Sequence, residues 1–200
     1  MNPITPPSAP AASRARLKLL LVLLVCAAPV IASYFTYYVI RPDGRVNYAD
    51  LIEPQQPLSD LTFTPTDGGP TETMDSLRGK WVMVVLGEPA CDASCTTALY
   101  NIRQVRLTTG RERSRVERLW LLTGPGEPDR ALVEQHEGLL VRRITPEQAA
   151  RFEAAPGARA SDHLFIVDPL GNLMMRYAPQ PDPNRMKKDL NKLLRASRIG

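Results

Sequence analysis

Two hundred residues suit one domain rather than two, and an apolar content of 44% excludes a chain disordered over most of its length. The net charge of +4 is unevenly placed: Arg14, Arg16 and Lys18 lie in residues 1–40 with no acid, which leaves 22 basic against 21 acidic side chains in the remainder. That near-neutral remainder is long enough for a proper core and lacks the concentrated positive charge of a nucleic-acid binder. Three cysteines are too few for a disulfide-stapled scaffold.

The first sixteen residues are rich in Pro, Ala and Ser without apolar periodicity, and residues 1–16 read as a disordered tail. Leu19–Ile40 then holds 22 residues and no charge. As a helix this run spans roughly 33 Å, close to the apolar thickness of a bilayer, so residues 17–40 are expected to form one transmembrane anchor. Tyr34, Phe35, Tyr37 and Tyr38 cluster at one end, as in an interfacial aromatic belt, and the three basic residues flank the other. The positive-inside rule then puts the N-terminus in the cytoplasm and the rest of the chain in the periplasm of a single-pass inner-membrane protein. A cleaved signal peptide ending at Val30-Ile31-Ala32 is the rival reading, and the apolar run continues past that point. Cys26 lies within the run and reads as a small apolar residue.

Residues 41–57 are polar and turn-rich and read as a linker, with a domain over residues 58–197. Leu58–Thr64 is a weak strand signal, and Thr66-Asp67-Gly68-Gly69-Pro70 is a turn. Trp81–Leu86 is a continuous apolar run, the pattern of a strand buried on both faces. From Cys95 to about Thr109 the chain reads as helix, with Ala98, Leu99, Ile102 and Val105 as its stripe and Gly110 at its end. Val116–Leu122 is a second strand. Asp129–His136 is a short helix with His136 on the surface, and Leu139–Ile144 is a third strand. Pro146–Phe152 is a short helix capped by Thr145. Leu164–Val167 and Leu173–Tyr177 flank the hairpin turn Asp168–Asn172. A last helix starts at Asp182-Pro183, with Met186, Leu190, Leu193 and Leu194 on one face. Crossover helices imply parallel pairing, and the hairpin is expected to add an antiparallel edge. The order fits an α/β, thioredoxin-like sandwich with a central mixed sheet, preceded by one transmembrane helix.

Cys91 and Cys95 lie between the buried strand and the following helix, the place where α/β folds usually hold their sites. Free N–H groups and the positive dipole end of a helix favour thiolate over thiol. Two chemistries fit: a dithiol–disulfide cycle, and chelation of a soft ion such as Cu(I). A fixed structural disulfide is the alternative, permitted outside the cytoplasm. His163, just before a predicted strand, is the candidate third metal ligand. Arg103, Arg106, Arg111, Arg113, Arg115 and Arg118 form a basic run that reads as a solvated face or a dock for an acidic partner.

The segment Gly68 to Cys95 resembles the core of the Sco/SenC proteins, in Leu77-Arg78-Gly79-Lys80 before the strand, Gly87 after it, and Cys91 with Cys95; Asp168-Pro169-Leu170-Gly171 is similar to that family's Pro-x-Gly turn. The resemblance implies a membrane-anchored copper protein that helps assemble the copper A centre of cytochrome c oxidase. It implies copper held by Cys91 and Cys95 with a histidine, for which His163 is the candidate, and an oxidase subunit or another copper or thiol protein as partner. Such a protein is an assembly factor more than an enzyme. Two departures stand out. Asp92 and Thr96 follow the cysteines where the family usually has proline, and Ala160 occupies the place where the family's copper-binding histidine is expected, three residues before His163. A metal-free thiol–disulfide oxidoreductase and a non-catalytic interaction module therefore stay open beside the copper reading.

Overall fold

A computed structural model describes residues 11–40, 47–153 and 159–199. The chain divides into two units, residues 1–46 and 47–200. Within the first, helix α1 spans Ala11–Phe35 and continues as a π-helical turn, Thr36–Ile40. The helix thus begins inside the expected tail, whose residues 1–10 lie outside the described part. Ala15–Val39 is long and apolar enough to cross a membrane, and its large side chains are exposed along its length. Tyr34 stacks on Tyr38 with ring centroids 5.9 Å apart, and Tyr37 meets Tyr38 edge-on at 4.9 Å.

The second unit is built on an eight-stranded mixed sheet. Its strands are β1 (Asp50–Pro57), β2 (Thr62–Pro65), β3 (Glu72–Thr73), β4 (Trp81–Gly87), β5 (Val116–Leu122), β6 (Leu140–Arg143), β7 (Leu164–Val167) and β8 (Asn172–Tyr177). Across the sheet they run β1-β8-β7-β4-β5-β6-β2-β3. Helices α2 (Ala93–Thr108), α3 (Arg130–Gln135), α4 (Pro146–Ala149) and α5 (Pro183–Ala196) complete the unit.

Every residue of β4 is buried. It pairs parallel with β5 from Trp81↔Val116 to Gly87↔Leu122, and antiparallel with β7 from Val82↔Val167 to Val85↔Leu164. Its alternating side chains feed two cores. Trp81, Met83 and Val85 join Leu99, Ile102 and Val105 of α2 and Met186, Leu190 and Leu194 of α5. Val82, Val84 and Leu86 join Leu119, Leu121, Phe165, Phe63 and Phe152 on the other face. Each such side chain contributes about 1.5–3 kcal/mol by leaving water, so the strand that carries the site loop is also the most firmly held.

Four expectations change. Asp50–Pro57, assigned to the linker, is an edge strand paired with β8 through Asp50↔Arg176 and Pro57↔Asn172. Its side chains are mostly exposed and it holds two prolines, which an edge strand tolerates because one side of its backbone needs no ladder partner. The rest of the expected linker, 41–46, lies outside the described residues. The β7–β8 hairpin sits inside the sheet rather than at its edge, because β1 covers β8. The arginine run is not a solvated face throughout: Arg118 is 2% exposed, and Arg115 reaches the carbonyls of Leu194, Ser197 and Ile199, the end of α5. His136 is 5% exposed rather than a surface residue.

The hairpin turn follows its composition. Asp168 accepts the N–H groups of Leu170 and Asn172, and Gly171 takes a φ of +87° that a side chain would strain. At the opposite end of the domain chain, Asp189 of α5 is 2% exposed and accepts the backbone N–H groups of Tyr48 at 2.8 Å and Ala49 at 3.0 Å. Arg185 lies over the Tyr48 ring at 3.9 Å. These contacts fasten the first residues of the domain to its last helix.

Replacing Asp189 by Ala leaves two backbone donors without their acceptor, and the expected loss is about 2–3 kcal/mol of domain stability by urea unfolding. Asp189→Asn keeps one carbonyl oxygen and is expected to lose less than half of that. Equal stability of Asp189→Ala and wild type would show that the clasp contributes nothing.

Candidate redox site

The site grows from the end of β4. Beyond Gly87 the chain turns through Glu88 and Pro89, and the Cys91 N–H donates to the Glu88 carbonyl at 3.0 Å. Cys91 takes a φ of +40°, a left-handed conformation costly for a residue with a side chain. Asp92 then caps α2: its Oδ1 accepts the Cys95 N–H at 2.9 Å and the Ser94 hydroxyl at 2.7 Å. The helix therefore starts at Ala93, two residues before the expected start, because Asp92 is a strong cap.

Cys91 and Cys95 are joined by a disulfide, with Cα atoms 5.2 Å apart. The two sulfurs are inequivalent. Cys95 is 8% exposed and packs into the α2 core, whereas Cys91 is half-buried and borders a cavity of about 300 Å³. Arg159, Ser161 and Asp162 form the far wall of that cavity, and Thr96 Oγ1 lies 3.9 Å from Cys91 Sγ. An incoming thiolate has access to Cys91, and the leaving sulfur, Cys95, departs at a helix N-terminus that favours its anion.

Asp92 works against that preference at Cys91. The Cys95 N–H first, and the Ser94 hydroxyl second, hold its carboxyl below the usual aspartate range, so it is charged beside the cysteines. It also takes the N–H that would otherwise be free to bond a thiolate. Nothing in the spacing of the cysteines announces this role; the signal is an Asp at a cap position between a strand and a helix.

The register brings His163, the residue before Leu164, to the sheet edge where β4 ends, since Leu164 pairs with Val85. His163 does not join the sulfurs. It lines a neighbouring cavity of about 280 Å³ with Ser94, Thr97, Ala98 and Asn101, and it is missing from the one that the cysteines line. Its Nδ1 is 2.9 Å from the Tyr177 carbonyl, which can only accept, so Nδ1 donates. Among the described residues no three His, Cys, Asp or Glu side chains are grouped to hold a metal ion. Cys91 and Cys95 offer two thiolates to a soft ion when the disulfide is reduced, and His163 lines the neighbouring cavity.

Neutralising the cap gives a test with a sign. In Asp92→Asn, the thiol pKa of reduced Cys91 should fall, and its alkylation near pH 6 should quicken. Because the carboxyl is depressed only in the folded state, its stabilising share is full above the unfolded aspartate value. That share is lost as pH falls through the folded one. The variant should lack this part of acid unfolding. Slower alkylation in Asp92→Asn would refute the electrostatic role.

Residues 81–197 match the family model described as the transmembrane-like, thioredoxin-like, C-terminal domain. No curated protein matches the sequence. Among solved structures, the chain is similar to apo Sco1 from Thermus thermophilus (TM-score 0.58, 20% identity, covering 76% of this chain and 99% of that one). It is similar to yeast Sco1 with copper bound (TM-score 0.59, 15% identity, 73% and 96%). It is also similar to BsSco, described as having a disulfide switch and as a member of the Sco family of cytochrome c oxidase assembly proteins (TM-score 0.53, 13% identity, 74% and 96%). At these identities the likeness is one of fold. The family match covers more than half of the chain, which therefore belongs to the transmembrane-like, thioredoxin-like C-terminal domain family and has the fold of the Sco proteins.

Proposed function

We propose that the protein is a single-pass membrane protein whose periplasmic domain is a dithiol carrier in cytochrome c oxidase biogenesis. The observation that carries the reading is the Cys91–Cys95 disulfide, with one accessible and one buried sulfur at the start of α2 on a thioredoxin-like sheet. The reduced pair would work in two steps. Cys91 thiolate attacks a client disulfide, forming a mixed disulfide and releasing one client thiolate. Cys95 thiolate then attacks Cys91 Sγ, freeing the second client thiolate and restoring the Cys91–Cys95 bond. Two electrons pass to the client, and a dithiol donor returns them later. A cysteine pair on an oxidase subunit awaiting copper is a client of this chemistry. The helix Ala15–Val39 supplies the anchor, and the basic residues before it favour a cytoplasmic N-terminus. A disulfide persists on the other side of that membrane.

Copper as cargo is the second reading, favoured by the copper-bound yeast structure of the same fold. Reduced Cys91 and Cys95 would hold Cu(I) as two thiolates, without His163.

The full chain in detergent, carrying Cys26→Ser, is to be equilibrated with glutathione buffers. A potential between roughly −120 and −270 mV, the range of exchange proteins, is expected. A value below about −300 mV would identify a structural bridge and end the carrier reading. In Cu(I) competition with a chelator, Cys91→Ser should abolish binding by the reduced chain and His163→Ala should leave it within about threefold, since a lost ligand typically costs tenfold or more. Loss of copper in His163→Ala would return that residue to the metal site.

A further inference from the structure

Arg118 is the least expected side chain in the domain. It stands on β5 between Val116 and Trp120, which point into the α2 and α5 core, and it is 2% exposed. Its Nη2 donates to the Glu137 carbonyl. Its Nε and Nη1 are buried and have no hydrogen-bond partner, and no carboxylate lies within ion-pair distance of it among the described residues. Gly138, at a φ of +74°, lets the loop lie against the guanidinium, where an added Cβ would sit 3.6 Å from Nη2. The neighbouring His136 is also buried with Nδ1 unpartnered; burial first, then the charges of Arg118 and Arg103, lowers its proton affinity, and it offers Arg118 no counter-charge.

Arg118 also lines a cavity of about 230 Å³, together with Arg103, Arg106 and Arg113. Arg106 is engaged with the Val116 carbonyl at 2.6 Å and with Glu117 at 3.8 Å. Arg103 and Arg113 make no ion pair among the described residues. Glu137 reaches the cavity wall, but its contact with Arg118 is through its carbonyl, and its side chain is exposed. Four arginines thus line the space; Glu117 pairs with one of them, Arg106, and Glu137 is the one acidic residue in the wall. A buried charge is stable only when paired and hydrogen-bonded. Guanidinium forks match the oxygens of phosphate, and several forks from different elements suit a tetrahedral dianion better than a single carboxylate.

We propose that this cavity, on α2 and β5 and apart from the cysteine site, binds a compact oxyanion of the phosphate class. The phosphate is either free or borne on a lipid headgroup, and the test separates the two sources. The full chain is purified in a maltoside detergent, which carries no phosphate, at fixed low chloride. One arm titrates inorganic phosphate by calorimetry; the other titrates mixed micelles doped with phosphatidic acid. Saturable one-to-one binding is expected, abolished in Arg118→Met and weakened roughly tenfold or more in Arg103→Gln/Arg113→Gln, the loss typical of a charge-assisted contact. Binding in the first arm assigns the site to free phosphate, and binding in the second arm alone assigns it to a headgroup. Without phosphate, Arg118→Met should unfold at the wild-type temperature or above, because it removes an unpaired buried charge. Should Arg118→Met not fold, the double variant decides. No saturable binding in either arm, or binding undiminished by the substitutions, overturns the proposal.

Discussion

Strand β4 has no solvent-facing side, and most of the domain follows from that constraint. Seven consecutive buried residues need cover on two faces and ladder partners on two edges. β5 and β7 supply the edges, α2 and α5 cover one face, and the segments around Leu61, Met74 and Phe152 pack on the other. The strand must end where the cores end. Gly87 is that point, and the loop beyond it delivers Cys91 and Cys95 to the start of α2 at a position set by the best-packed element of the fold. Such a mounting fixes which of the two sulfurs is reachable and which is buried.

Electrostatics at the two ends of α2 take opposite signs. At the N-terminus, Asp92 places a carboxylate beside the disulfide and draws the Cys95 N–H to itself. Toward the C-terminus, Arg103 and Arg106 stand with Arg118 of β5 around a positively charged cavity. The first arrangement trims the tendency of the helix end to favour thiolate at Cys91. The second leaves Arg118 buried without an ion-pair partner among the described residues. The helix therefore carries one site at each end, of different chemistry.

Much of this was legible in the residues. The run Trp81–Leu86 could only be a strand buried on both faces, and the cysteines after it could only stand at the strand–helix turn. β5, β7, α5 and the Asp168–Asn172 turn likewise match their local patterns within a residue or two. These elements announce themselves through apolar periodicity, caps and turn residues, which act over a few positions. Edge strand β1 does not, because its side chains face water and its prolines resemble a linker; only the partner β8 makes it a strand.

The side-chain environments that the residues do not announce share one physical cause. Whether Arg118 and His136 are solvated depends on what the sheet and the α3–β6 loop place above them, and neither residue's neighbours in sequence report that. Whether His163 joins the sulfurs depends on the rotation of one strand end. Its Nδ1 goes to the Tyr177 carbonyl, and the cavity it lines is not that of the cysteines. Local pattern is thus enough for the long apolar N-terminal helix, the buried strand β4 and the position of the cysteine pair, since backbone propensity and burial period decide them. Packing between distant segments alone sets which sulfur is exposed, which charges lose water and which donors meet, because burial and distance are properties of the assembled layers.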